Sequence, residues 1–199
     1  MGGAIVMGKQ YWRAGNMLYP LPAVMVSCTH NGKNNIITIG WTGTINSDPA
    51  MLSISVRKER YSYHMINESK EFVVNLTTED LAFATDYCGV RSGKDHDKFK
   101  EMNLTPLESK YINAVGIAES PVNIECKVVN QLDLGSHVMF IANVMGVTID
   151  DKYLDEKNTF NLMNAHPITY THGRYYKTGD EIGRFGFSVK KETPIKKKK

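Results

Sequence analysis

The stretch PAVMVSCTH, NGK, NNIITIGW, residues 22–41, decides the fold class. Two runs rich in Val, Ile and Thr flank Asn31-Gly32, the pair that tight hairpin turns favour because both residues tolerate positive φ. A strand-turn-strand unit is therefore expected, and the pattern continues down the chain. AMLSISV (50–56) follows the turn signal Ser47-Asp48-Pro49, and EFVVNLT (71–77) is a further β-rich run. In VNIECKVVN (122–130), Val122, Ile124, Cys126 and Val128 alternate with Asn123, Glu125 and Lys127, which predicts one wet face. HVMFIANVMGVTI (137–149) is apolar at both parities, which predicts a central strand buried on both faces.

Helical patterns are few and short. YSYHMINES (61–69) carries Met65 and Ile66 inward. TEDLAFATDYCG (78–89) is expected to start at Thr77 or Thr78 as N-cap and to stop at Gly89, and DHDKFKEM (95–102) is a third candidate. Closely spaced antiparallel strands with few helices point to a mainly β barrel rather than a doubly wound sheet. No G-x-G-x-x-G or Walker loop is present. Residues 1–189 read as a single domain, and Lys190–Lys199 as a disordered, lysine-rich, solvated tail.

Charge and cysteine usage narrow the function classes. The net charge is +3, but the tail holds six Lys and one Glu, so residues 1–189 are slightly acidic. That argues against a nucleic-acid footprint. No apolar run reaches the roughly 20 residues of a membrane span, and no secretory signal is read at the N-terminus; a cytoplasmic protein with no membrane partner is expected. Cys28, Cys88 and Cys126 are far apart and odd in number, so neither a disulfide framework nor a metal site is expected. Cys28 and Cys126 read as core residues and Cys88 as the more exposed.

SVRKERYS, residues 55–62, places Arg57, Lys58 and Arg60 directly after an apolar strand and beside Tyr61 and Ser62. A solvated turn is one reading. A seat for a phosphate is the other, because charge-assisted donors at a helix start suit an anion. Strand alternation sends Arg57 and Lys58 to opposite faces, so two of the three cations are expected to reach one phosphate.

The succession Asn35, Trp41-Thr42-Gly43-Thr44-Ile45-Asn46-Ser47-Asp48-Pro49, Ser53-Ile54-Ser55-Val56-Arg57-Lys58 and Phe72-Val73-Val74-Asn75 resembles the flavin reductase family. More narrowly it is similar to flavoredoxin-like members of the FMN-binding split barrel, from about Leu18 to Phe187. The resemblance implies an antiparallel split β-barrel, a homodimer, and an FMN reduced by NADH or NADPH that passes electrons to a small-molecule or protein acceptor. A non-enzymatic FMN electron carrier reduced by a protein partner is the alternative.

It also assigns candidate residues. Arg57, Lys58, Arg60, Tyr61 and Ser62 are candidates for the phosphate. Trp41, Thr42, Gly43, Thr44, Asn35 and Asn46 are candidates for the ring and ribityl chain, with a core role for Trp41 and turn roles for the asparagines as alternatives. Tyr170, near His172 and Tyr175, is the candidate aromatic against the flavin. Gly135-Ser136-His137 resembles the Gly-Asp-His motif that reductases use beside the nicotinamide, with Ser136 departing from its acid. Residues 91–99 resemble a loop that reaches across a dimer. No catalytic side chain is assigned.

Overall fold

The computed structural model describes residues 8–189; the tail assigned to 190–199 lies outside them. Its frame is a seven-stranded antiparallel sheet that curls around one core in the order β2-β1-β5-β8-β9-β4-β3. The strands are β1 Val24–His30, β2 Lys33–Ile39, β3 Thr42–Ser47, β4 Ala50–Val56, β5 Glu71–Asn75, β8 Val122–Asp133 and β9 Val138–Ile149. Two short pairs, β6 Pro106–Leu107 with β7 Gly116–Ile117 and β10 Ile168–Thr171 with β11 Arg174–Lys177, stand beside it. The helices are α1 Tyr61–Ser69, α2 Ala82–Val90 and α3 Lys98–Glu101.

The hairpin read from residues 22–41 forms as expected. Asn31 and Gly32 take φ of 49° and 71°, and His30 pairs with Lys33 across a two-residue turn. Val24, Val26 and Cys28 of β1 point into the barrel with Ile37, Ile54, Phe72 and Phe140, and α1 adds Met65 and Ile66. Each such large apolar side chain stabilises the fold by about 1.5–3 kcal/mol on full burial. Met25 and Ile36 face the other way, onto Leu81, Ala84, Cys88 and Phe99.

Between Ile39 and Thr42 the chain passes from one edge of the sheet to the other. Ser55 N–H donates to the Trp41 carbonyl at 2.9 Å, so this crossing is tied to β4. β2 approaches β4 without pairing with it, which leaves the barrel open along that seam.

Five local expectations change. Cys88 is fully buried, because α2 lays that face on β2. The helix begins at Ala82 instead of Thr77 or Thr78: Thr77 Oγ1 is taken by the Ala23 carbonyl, Thr78 bridges to Pro167, and Glu79-Asp80 form a turn. Gly89 lies inside the helix, where an added Cβ would meet Thr38 at 3.2 Å. In β8 the face expected to be wet is covered by residues 109–117, so Asn123 and Glu125 are buried. Glu125 accepts from Lys110 N–H (3.0 Å) and Tyr111 N–H (2.7 Å). β9 is central, yet Met145, Val147 and Ile149 are exposed at its far end. Among the described residues no helix is long and apolar enough to cross a membrane.

Candidate functional site

Two adjoining cavities occupy the seam between β2 and the end of β4. The larger, about 440 Å³, is walled by Ile37, Ile39 and Trp41 on one side, Ser55, Val56 and Arg57 on the other, and Tyr19, Tyr170 and Tyr175 beyond. Its walls mix aromatic and aliphatic side chains with the polar groups of Thr38, Ser55 and His137, and Arg57, Arg60 and Asp86 are its charges. Trp41 and His137 line it with ring centroids 4.4 Å apart and planes tilted by 39°. Tyr170 meets Tyr175 edge-on at 5.4 Å, and Tyr175 donates its hydroxyl to Asp86 at 3.2 Å. Burial, with Asp86 adding to it, pushes the Tyr175 phenol up to about 12.

The smaller cavity, about 330 Å³, shares Ile37, Arg57 and Arg60 with the larger. It is built from cations and hydroxyls: Arg57, Arg60, Arg91 and Lys98, with Ser62 and Ser92. Among the described residues Glu59 is its only carboxylate, and that side chain is 64% exposed and paired with Arg57. Lys98 is 3% exposed and donates to the carbonyls of Ile36 (2.7 Å) and Cys88 (2.8 Å). Burial holds its ammonium down to about 8. An excess of positive charge with so little to balance it fits an anion of more than one charge. The pair of cavities fits a flat aromatic group joined to a phosphate.

Loop packing shapes the smaller cavity. Asn35, buried on β2, donates to Ser62 Oγ at 2.7 Å. Gly93 lies directly against that amide, so a Cβ there would sit 2.0 Å from Asn35 Oδ1. Residues 91–93 thereby close over the cavity of their own chain. Outside, Tyr87 Oη lies 3.2 Å from His96 Nδ1, and Glu101 lies 3.0 Å from the same nitrogen.

The sequence candidates separate into two groups. Asn35, Trp41, Arg57, Arg60, Tyr61, Ser62, His137 and Tyr170 line the cavities. Lys58 does not; it pairs with Asp133, which also accepts from Gly135 N–H at 2.9 Å. Lys58 thus fastens the turn 133–137, in which Gly135 has φ 87° and Ser136 Oγ contacts His137 Nδ1 at 2.9 Å. Burial and then the Arg57 charge hold the His137 imidazole below its ordinary value. Thr42, Gly43, Thr44 and Asn46 form the outer strand β3 and line neither cavity. Thr42 bonds the Ser53 carbonyl and Asn46 the Pro49 carbonyl, so both serve the β3–β4 hairpin. Sequence reasoning missed Asp86, and it gave residues 91–99 only as a loop directed towards a dimer partner; Arg91, Ser92 and Lys98 of that segment line the smaller cavity of their own chain.

The model of the flavin reductase like domain matches residues 16–179. Flavoredoxin of Desulfovibrio vulgaris (Miyazaki F) superposes with a TM-score of 0.84 and 28% identity, covering 91% of this chain and 98% of that one. Flavoredoxin from Methanosarcina acetivorans gives 0.81 and 26%, covering 92% and 100%. An uncharacterized protein of Archaeoglobus fulgidus is 31% identical over 144 residues, 72% of this chain and 81% of that protein.

Proposed function

Because the chain belongs to the flavin reductase-like domain family, we propose that it is an FMN flavoprotein and acts as an NADH- or NADPH-dependent oxidoreductase. The observation that carries this reading is the cation-lined cavity opening into an aromatic-lined one. Arg57, Arg60, Arg91 and Lys98, with the Ser62 and Ser92 hydroxyls, hold the phosphate; Trp41 and Tyr170 flank the ring. A single cation-lined cavity of this size suits one phosphate, which favours FMN over FAD. Bound flavin supplies the redox chemistry, taking two electrons from a reduced nicotinamide and releasing them to a flavin, ferric or protein acceptor.

The chain's own residues bind, orient and set polarity. His137, kept largely neutral at pH 7, offers a hydrogen bond beside the nicotinamide without repelling the cation that oxidation leaves there. Purified protein should show a flavin spectrum and release FMN on heating, and NADH or NADPH without oxygen should bleach it. Recovery of FAD or haem, or no binding at saturating FMN, overturns the assignment.

Ser136, where the reductase motif has an acid, favours a second reading as an electron carrier. In that case the flavin stays oxidised with either nicotinamide and is bleached by a reduced redox protein. We further propose a homodimer. Val129, Leu132, Leu134, Met145, Val147 and Ile149 are exposed on or next to the β8–β9 hairpin, and β3 leaves a sheet edge unpaired. Light scattering that finds a flavin-loaded monomer refutes this.

A further inference from the structure

Lys98 poses a problem that its protein contacts leave unsolved. Two of its three ammonium hydrogens go to the Ile36 and Cys88 carbonyls, and the group borders the smaller cavity. Among the described residues no carboxylate pairs with it. Of the charged side chains that line the cavity with it, Arg57, Arg60 and Arg91 share its sign, and the carboxylate Glu59 is mostly exposed and already paired with Arg57. A buried charge without a counter-charge is costly, and a lysine so placed sheds its proton readily. A dianion entering the cavity reverses that preference.

We infer that Lys98 is the residue that reads the charge of the cofactor's phosphate, taking a proton from solvent onto Nζ as the dianion enters. The inference rests on the FMN reading and deepens it. It makes FMN binding pH-dependent in mildly alkaline solution, while riboflavin, which has the same ring and no phosphate, is indifferent to Lys98.

The window follows from the groups that face the cavity. Burial, opposed by the Cys88 and Cys28 thiols and assisted by Arg60, leaves Lys98 at about 8 when nothing is bound. An anion moves it back up, so protons are taken up between about 8 and the bound value, and not below. The FMN association constant is then level below pH 8 and falls by up to about tenfold per pH unit above it. Other titrating groups are quiet there. Burial pushes the Cys28 thiol of β1 to about 12 and the Cys88 thiol of α2 to about 11. Arg57, Arg60 and Arg91 are the other cations of the cavity, and Glu59, held below its ordinary value, stays ionised. Tyr61 is the remaining cavity group, and Tyr61→Phe removes it.

The test is calorimetric titration of the full-length protein with FMN and with riboflavin, from pH 7 to 9.5, in buffers of different ionisation heat. At pH 9 the wild type and Tyr61→Phe should each take up about one proton per FMN and none per riboflavin. Lys98→Met should abolish the uptake and weaken FMN roughly 10- to 150-fold at pH 7.5, with riboflavin affinity unchanged. Lys98→Arg, whose charge does not titrate, should bind FMN with no such pH dependence, and serves if the methionine variant fails to fold. FMN binding without proton uptake, or uptake that survives either Lys98 variant, overturns this inference and leaves the cofactor assignment standing. Failure of the wild type to bind FMN at any pH overturns both.

Discussion

Replacing Gly93 by Ala tests how the phosphate cavity is closed. Gly93 is not at positive φ, so the backbone makes no demand for glycine there; the demand is steric. The new Cβ would lie 2.0 Å from Asn35 Oδ1, 2.4 Å from Cγ and 2.7 Å from Nδ2, whereas ordinary contacts begin near 3.4 Å. Something must therefore move by more than 1 Å. If Asn35 turns away, its 2.7 Å bond to Ser62 Oγ is lost in a buried setting, at about 1–3 kcal/mol. If the loop lifts instead, Arg91 and Ser92 leave the cavity and a charge-assisted contact of about 1.5–3 kcal/mol goes with them.

Either route acts on the phosphate end, so FMN affinity should fall roughly 5- to 150-fold while riboflavin binding scarcely changes. Quenching of flavin fluorescence on binding measures both. Asn35→Ala removes the clashing amide, so the double variant should recover part of what Gly93→Ala loses beyond additivity. Wild-type FMN affinity in Gly93→Ala, or equal losses for the two flavins, would show that residues 91–93 do not form the cavity wall.

Arg57→Ala and Arg60→Ala should each weaken FMN by roughly 10- to 150-fold and spare riboflavin, whereas Lys58→Ala should leave FMN affinity almost unchanged; the same fluorescence titration checks all three, and a large loss in Lys58→Ala would contradict its pairing with Asp133. Glu125→Ala should lower the urea midpoint, because two backbone N–H groups lose a buried carboxylate at about 1–3 kcal/mol each. Glu125→Gln, which keeps one acceptor oxygen, should lose less.

Strands β1, β2, β4, β5, β8 and β9 were legible because each was decided by its own residues, whereas β3, Thr42–Ser47, carries no such apolar alternation. Asn31-Gly32 forces a two-residue turn, and AMLSISV and YSYHMINES coincide with β4 and α1. Errors arose where a distant segment took over a local signal. Thr77 and Thr78 look like helix caps, but a carbonyl from before β1 and a bridge to Pro167 claim them first. Asn123 and Glu125 alternate like solvent-facing residues. The segment 109–117 arrives from elsewhere with unpaired N–H groups, and Glu125 and Asn75 accept them. Alternation reports polarity; whether a polar row meets water or backbone depends on what covers the sheet.

The site divides along the same line. Arg57 and Arg60 were visible because cations closely following a buried strand are conspicuous, and alternation already put Lys58 on another face. Which of them reached the cavity was settled by Asp133, 75 residues further along the chain, and by the seam between β2 and β4. Lys98 had no such signal. In DHDKFKEM it alternates with Lys100 on a short helix and reads as one more solvated lysine. Its meaning comes from α2 and β2 closing around it and presenting two carbonyls, an arrangement that local pattern cannot encode. A lysine held by two carbonyls, with no carboxylate paired to it among the described residues, keeps a positive charge that suits an anion in the cavity. That is why the most buried cation of the cavity, silent in the sequence, says the most about the ligand.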